Sequence, residues 1–193
     1  MDYLRSRIES HIAVAESLLD DQTATSLEAI ISMCVHALRS GNKILLCGNG
    51  GSAADAEHIA GELSGRFYLD RKALPAIALT LSSAHLTAIS NDYGYDQAFA
   101  RSVEALGTHG DILIAYSTSG TSGNVLSALH RARDLELKTI GFTGSKPISM
   151  AHLCDHIVAV PSDDTPRVQE MHMLLGHIMA EQIETRLFAK DRP

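Results

Sequence analysis

Residues 47–62 read Cys-Gly-Asn-Gly-Gly-Ser-Ala-Ala-Asp-Ala-Glu-His-Ile-Ala-Gly-Glu, and this stretch decides the fold. An apolar run, Ile44 to Cys47, ends at the glycines, and an alanine-rich helical pattern follows at once. The order of strand, glycine loop and helix is typical of parallel α/β proteins. It brings backbone N–H groups and a helix N-terminus to one point, where they can hold an anion. The simpler interpretation is that the glycines only make a tight turn.

Two titratable residues, His58 and Glu62, lie one turn deeper in the same predicted helix. Their i, i+4 spacing places both side chains on one face of the helix. A base and an acid close to an anion cradle favour chemistry on a small phosphorylated or otherwise anionic molecule. A surface pair without chemical function is the alternative interpretation.

A second cluster of glycines and hydroxyls follows the apolar run 111–116. It reads Ser-Thr-Ser-Gly-Thr-Ser-Gly-Asn over residues 117–124, and a helical pattern starts at Val125. The cluster has neither the lysine of a P-loop nor the glycine spacing of a dinucleotide-binding loop. Neutral hydroxyls interleaved with backbone donors suit a phosphate monoester that is held without a metal. Helix capping would explain one of these hydroxyls but not several.

Five short apolar runs predict strands that are covered on both faces, and helical patterns fall between them. The predicted strands are 43–47, 75–80, 111–116, 138–142 and 156–160, and the predicted helices are 2–19, 25–40, 52–64, about 83–90, about 95–106, 122–135 and a last one ending near Phe188. The alternation predicts an α/β fold with a five-stranded parallel sheet and helices on both faces. We expect one domain over 1–193, with an N-terminal helical segment (1–40), an α/β core (41–163) and a long C-terminal helix (164–189).

Composition excludes several classes of protein. The formal net charge of −7 argues against nucleic-acid binding by bulk electrostatics, and no apolar run reaches the length of a membrane span. The N-terminus has no apolar signal core, and the three cysteines have neither disulfide nor metal-site spacing. These features predict a cytoplasmic protein.

Three segments resemble the sugar isomerase (SIS) domain family: residues 47–52, residues 117–120 and the closing run 167–177. Within that family the chain is similar to isomerases of seven-carbon ketose phosphates. The Ser-Thr-Ser-Gly motif is shared by all SIS domains. The combination of His-x-x-x-Glu at 58–62 with Gln-Glu-x-His and Gly-His in the last helix is more specific, and it separates the isomerases from their non-catalytic relatives. The resemblance implies a single SIS domain with a flavodoxin-like three-layer sandwich. It also implies conversion of sedoheptulose 7-phosphate to D-glycero-D-manno-heptose 7-phosphate, the first step of heptose supply for lipopolysaccharide core or capsule.

The resemblance also implies roles for individual residues. Glu62 and His177 match the acid/base partners of the family, and His172 lies on another side of the helix from His177. The implied substrate-binding residues are Asn49, Gly50, Gly51, Ser52, Glu62, Asn91, Asp92, Ser117, Thr118, Ser119, Ser122 and Gln169. The implied Zn²⁺ ligands are His58, Glu62, Gln169 and His177, a donor set that suits zinc. Metal-free proton transfer by the same residues is the competing interpretation.

The outer helices indicate an assembly. Leu4, Ile8 and Ile12 form one apolar stripe on the first helix, and the last helix is apolar on more than one side. The resemblance implies a homotetramer with active sites at subunit interfaces. A last helix sandwiched inside a monomer is the alternative.

Two rival functions come from the same fold. One is a non-catalytic SIS adaptor that binds a replication initiator and shares the Gln-Glu-Met-His-Met run of 169–173, but lacks counterparts of Glu62 and His177. The other is an SIS enzyme for a different sugar, such as an N-acetylmuramate phosphate etherase or a hexulose phosphate isomerase. Those enzymes differ in the first and last helices, where this chain matches the isomerase pattern.

Overall fold

The computed structural model describes residues 1–80, 82–146 and 149–188. The helices are α1 (Asp2–Glu16), α2 (Asp21–Arg39), α3 (Gly51–Ser64), α4 (Ser83–Tyr93), α5 (Ala98–Leu106), α6 (Gly123–Asp134) and α7 (Thr165–Phe188). The strands are β1 (Ile44–Gly48), β2 (Ala76–Ala78), β3 (Ile112–Ser117), β4 (Lys138–Thr143) and β5 (His156–Ala159). Short 3₁₀ turns lie at Tyr95–Gln97 and Ala151–Leu153.

The strands form one parallel sheet in the order β2-β1-β3-β4-β5, which confirms the predicted five-stranded α/β fold. Every residue of β1 and β3 is buried, as expected for strands covered on both faces. Helices α2, α3 and α7 cover one face with one apolar core, and α5 and α6 cover the other face with a second core. This is the three-layer, flavodoxin-like sandwich.

The strand order reverses between β1 and β3, and this positions the site. Gly48 of β1 pairs with Tyr116 of β3, so the glycine loop and the hydroxyl loop leave the sheet side by side. Ligands of open α/β sheets bind at such a reversal, beyond the carboxyl ends of the strands. Both loops singled out in the sequence therefore face the same space.

The boundary between the first two helices differs from the sequence prediction because an N-cap residue was not recognised. Asp20 is extended, and its side chain accepts the backbone N–H of Thr23 at 2.8 Å, so α2 starts at Asp21 rather than at 25. The same extended residue separates the two helices, and α1 ends at Glu16 rather than at 19. The predicted helix at 95–106 opens with a 3₁₀ turn and becomes α-helical at Ala98.

The predicted strand 75–80 is shorter in the structure. β2 covers only Ala76–Ala78, although single backbone bonds extend the pairing at both ends: Ile44 N–H to the Pro75 carbonyl at 2.9 Å and Leu79 N–H to the Leu46 carbonyl at 2.8 Å. At the far end of the chain, α7 ends at Phe188, and residue 189 of the predicted last helix lies outside the described residues. Within the described ranges, no helix has the length and apolarity to span a membrane.

Candidate active site

The glycine loop starts α3 in a conformation that needs two of its glycines. Gly50 has φ +55°, a left-handed conformation that glycine adopts without steric cost. A Cβ atom on Gly51 would fall 2.5 Å from Nε2 of Gln169, so the missing side chain lets α7 approach the start of α3. The loop therefore joins β1 to α3 and also receives the side chain of Gln169.

An amide pair links the glycine loop to the loop after β3. Asn49 and Asn124 exchange two hydrogen bonds, each 2.8 Å long, and the Tyr95 hydroxyl donates to Oδ1 of Asn49 at 2.8 Å. The side-chain oxygen of Asn49 thus already accepts two hydrogen bonds within the protein. Neither Asn124 nor Tyr95 was predicted from the sequence to line the site. Asn124 is the last residue of the hydroxyl cluster 117–124, and this position in the sequence could have indicated that it belongs to the site.

The hydroxyl loop is organised by its own hydrogen bonds. Ser117 Oγ lies 3.1 Å from Ser122 Oγ and accepts the Gly120 N–H at 3.2 Å. Ser119 is exposed, and its Oγ accepts from the backbone N–H of Thr121 at 3.2 Å and from its hydroxyl at 3.0 Å. Because Ser119 accepts both of these bonds, its own O–H proton can be donated outward. Thr118, another predicted substrate-binding residue, is half-buried in the same loop.

The titratable cluster forms where α3 meets α7. His58 Nε2 lies 2.9 Å from His177 Nε2 and 3.1 Å from Glu62 Oε1. One ligand atom from each of the three residues lies within 4.8 Å of the others. Two imidazole nitrogens this close either share a proton or turn both lone pairs toward a cation. The arrangement can therefore move protons or hold a metal ion.

A buried anchor behind the cluster sets the position of His177 from the other side. The Phe67 ring centroid lies 5.7 Å from that of His177. Glu184 of α7 is buried and accepts the backbone N–H groups of Phe67, Tyr68 and Leu69 at 2.8 to 3.0 Å. It also pairs with the buried Arg71 at 2.8 Å.

The charge state of Glu184 follows from these contacts. Burial acts to raise the pKa of Glu184, but the backbone N–H bonds and Arg71 outweigh it, and the pKa is lowered from 4.5. Glu184 thus fastens the segment after α3 to α7. Glu184 was not among the residues predicted from the sequence. A carboxylate beside the apolar Met179, Ala180 and Ile183 could have indicated a buried, paired acid.

Of the remaining residues considered in the sequence, His172 and Ser52 are buried, whereas Asn91 and Asp92 are exposed. His172, predicted to lie away from His177, is fully buried with Nε2 3.2 Å from the Thr143 carbonyl oxygen. Asn91 and Asp92 lie near the end of α4, are exposed, and bond to each other at 2.8 Å. The buried Ser52 lies in the first turn of α3, where its N–H donates to the Asn49 carbonyl at 3.0 Å.

The chain is similar in sequence and in fold to known proteins. The SIS domain family matches residues 8–144 of the chain. A phosphoheptose isomerase of Aneurinibacillus thermoaerophilus is 46% identical over 188 residues, covering 97% of this chain and 95% of the relative. The solved phosphoheptose isomerase of Francisella tularensis superposes with a TM-score of 0.92 at 37% identity, covering 95% and 97% of the two chains. The one from Neisseria gonorrhoeae gives 0.89 at 36%, covering 95% and 98%.

Proposed function

The chain belongs to the SIS domain family and, within it, to the phosphoheptose isomerases, and we propose that its reaction takes place between the His58–Glu62–His177 cluster and the loop 117–122. The enzyme isomerises sedoheptulose 7-phosphate, a ketose, to D-glycero-D-manno-heptose 7-phosphate, an aldose. The observation that carries the proposed site is the meeting of Glu62 and His177 across two helices. Purified protein should convert the ketose, whereas a non-catalytic adaptor of this fold would leave it unchanged.

The reaction needs a base, an acid and a proton transfer between two oxygens. A base takes a proton from C1 of the ketose to give a cis-enediol, and an acid then delivers a proton to C2. We assign Glu62 as the carbon base and His177 as its partner acid. His58, at 3.1 Å from Glu62 and 2.9 Å from His177, can relay a proton between them. Phe67 packs against His177 and limits the orientations of its ring.

The donor set also fits a zinc ion. Two imidazoles and a carboxylate are common zinc ligands, and tetrahedral ligands at about 2.0–2.1 Å from zinc lie about 3.3 Å apart, close to the 2.9 and 3.1 Å seen here. We propose that His58, Glu62 and His177 hold Zn²⁺, with Gln169 as a fourth ligand. A bound zinc ion would polarise the substrate carbonyl and stabilise the negative charge of the enediolate.

The phosphate of the substrate is proposed to bind the hydroxyl loop. Ser117, Thr118, Ser119 and Ser122 supply neutral donors, and the N-terminus of α6 begins directly behind them at Gly123. Sugar hydroxyls are proposed to contact Asn49, Gly50, Gly51, Ser52, Asn91, Asp92 and Gln169. Because a seven-carbon chain separates the phosphate from C1, the hydroxyl loop and the titratable cluster bind opposite ends of one substrate.

Ser119→Ala should raise KM roughly 10- to 100-fold, since a hydrogen bond to a charged group contributes about 1.5–3 kcal/mol. Its hydroxyl is exposed and has a proton to donate, so its loss removes binding without disturbing the core. Steady-state kinetics would measure the effect, and inorganic phosphate should compete with substrate. Ser127→Ala, on α6 outside the loop, is the matched control. An unchanged KM in the Ser119 variant would move the phosphate site elsewhere.

We also propose a homotetramer with active sites at the subunit interfaces. Helix α1 has no buried residue in the single chain, and Leu4, Ile8 and Ile12 are 55%, 49% and 46% exposed. On α7, Leu174 and Ile178 are exposed as well. Apolar surface arranged on two neighbouring helices is typical of a subunit interface.

Ile8→Asp should dissociate the assembly and abolish activity, because an unpaired charge would be buried in the interface. Light scattering coupled to gel filtration should report about four chains for the native protein and fewer for the variant. Ser6→Asp, on the opposite side of α1, should leave the mass unchanged. A fully active native monomer would refute both the tetramer and the shared site.

The setting of the reaction is proposed to be the cytoplasm, where the product feeds heptose synthesis for lipopolysaccharide core or capsule. The buried, unpaired thiols of Cys34 and Cys47 are compatible with a reducing compartment. Burial raises the pKa of both thiols to about 12, so they stay protonated and unreactive.

A further inference from the structure

Five buried side-chain atoms in the described part of the chain lack a hydrogen-bond partner. Three of them lie on elements that carry or adjoin the titratable cluster: Asp55 Oδ2 on α3, the Tyr116 hydroxyl on β3 and His172 Nδ1 on α7. The other two are Thr143 Oγ1 and Arg167 Nε. Tyr116 and His172 have no exposed surface, and Asp55 is 8% exposed. Buried polar atoms are rarely left unpaired, because each unpaired atom lowers the stability of the folded state. The three atoms therefore call for a common explanation.

Asp55 and His172 lie on the sides of α3 and α7 that pack together. Gly51 of α3 faces Gln169 of α7, and Ile59 faces Gly176, so the helices run side by side in the same direction. Asp55 lies midway along this stretch of α3, and His172 lies midway along the matching stretch of α7.

Tyr116 reaches the same space from the sheet. Its ring centroid is 5.7 Å from that of His172, and its hydroxyl is 3.8 Å from where a Cβ on Gly176 would lie. Burial raises the pKa of the Tyr116 phenol, and the nearby Asp55 carboxylate raises it further. A strand and two helices thus converge on one buried polar point.

Whether each of these atoms donates or accepts a hydrogen bond follows from its neighbours and its protonation state. His172 Nε2 faces the Thr143 carbonyl oxygen, which only accepts, so Nε2 carries the proton and Nδ1 is an acceptor in the neutral ring. Burial lowers the pKa of His172 to about 4, and the ring is neutral at pH 7. Burial raises the pKa of Asp55 to about 6, so at pH 7 its carboxylate is mostly ionised and its oxygens are also acceptors. The single O–H of Tyr116 cannot serve both, whereas a trapped water would add two donors.

We propose that Tyr116, Asp55 and His172 form a hydrogen-bond network, completed by a trapped water, that sets the spacing of α3 and α7 and so positions the catalytic cluster. Asp55 lies one turn before His58, and His172 lies little more than one turn before His177. A change in their spacing would therefore shift the two halves of the cluster relative to each other. These three are positioning residues, and the inference rests on the proposed function of that cluster.

Tyr116→Phe removes only the hydroxyl and should lower kcat at least about tenfold, because a displacement well under 1 Å between catalytic groups is costly. KM should stay within about twofold, since the hydroxyl loop is untouched. Asp55→Asn is a second isosteric variant and should behave alike. The double variant should be little worse than either single variant, because both break one network.

Met179→Leu, a buried volume-conserving change on α7, controls for packing damage. The network is supported if Tyr116→Phe loses kcat while its thermal midpoint matches that of the control. It is overturned if Tyr116→Phe and Asp55→Asn keep the native kcat, or if kcat falls equally in Met179→Leu. An inactive native enzyme would instead reject the proposed function, so the two failures are distinguishable.

Discussion

Glu62→Gln and His177→Gln should each lower turnover at least about a hundredfold, the usual contribution of a positioned acid or base. Glu62→Gln is isosteric and His177→Gln keeps a polar side chain, and both substitutions remove the titratable group. In the structure the two residues meet only through the packing of α3 on α7, with His58 within 3.1 Å of each. Substrate binding should survive at the hydroxyl loop, so the loss should appear in kcat more than in KM.

Glu57→Gln provides the matched control for this prediction. Glu57 is the neighbouring carboxylate on α3, but it turns away and accepts from the Thr80 hydroxyl at 2.5 Å. Its variant should keep near-native turnover. Zinc content measured in the same samples would separate a lost proton carrier from a lost metal ligand. Near-normal turnover of either the Glu62 or the His177 variant would remove that residue from the mechanism.

Glu184→Ala should lower the free energy of unfolding by about 3–5 kcal/mol, the cost of breaking a buried, hydrogen-bonded ion pair. The substitution leaves three backbone N–H groups and Arg71 without their shared acceptor. Because the folded pKa of Glu184 is lowered, its contribution is fully present well above the ordinary value of 4.5 and is lost as pH falls from 4.5 through the lower folded pKa. Urea unfolding at pH 7 and at successively lower pH values below 4.5 would measure both effects.

Glu181→Ala serves as the control, since Glu181 lies on α7 one turn earlier and outside this network. Its cost should be less than about 1 kcal/mol, the usual range for a side chain away from special features. The Glu184 variant should also lose turnover, because Phe67 would no longer be held beside His177. Equal stability of the two variants would show that the buried pair does not anchor α3 to α7.

Features set by local chain geometry were predictable from the sequence. The buried strands appeared as short apolar runs. The strand with the largest error in predicted length, β2, is the one whose ladder ends in isolated bonds at Pro75 and Leu79. His58 and Glu62 meet because helix geometry brings i and i+4 together. The proximity of His177 depends on packing between distant helices, and only family resemblance indicated it.

Features that depend on tertiary contacts were missed. Asn49 and Asn124 are 75 positions apart, and no local sequence pattern predicts that their side-chain amides form hydrogen bonds with each other. The role of Glu184 depends on which backbone N–H groups the chain leaves unpaired after α3, and this is decided only when α7 packs there. In the sequence, Tyr116 is the last residue of the apolar run 111–116, and nothing in this pattern indicates a role for its hydroxyl. Its hydroxyl acquires meaning only from the atoms of α3 and α7 that face it.

We propose that Glu62 and His177 isomerise sedoheptulose 7-phosphate by proton transfer through an enediol. NMR of the reaction run in D₂O, with native enzyme and with the Glu62→Gln variant, tests this proposal. We expect the native enzyme to form an aldoheptose 7-phosphate carrying deuterium at C2, and the variant to form almost none. Product with only hydrogen at C2 would mean that the hydrogen of C1 passes to C2 without exchange, either as a hydride or through one shielded base. That result, or an inactive native enzyme, would contradict proton delivery to C2 by a second residue, His177.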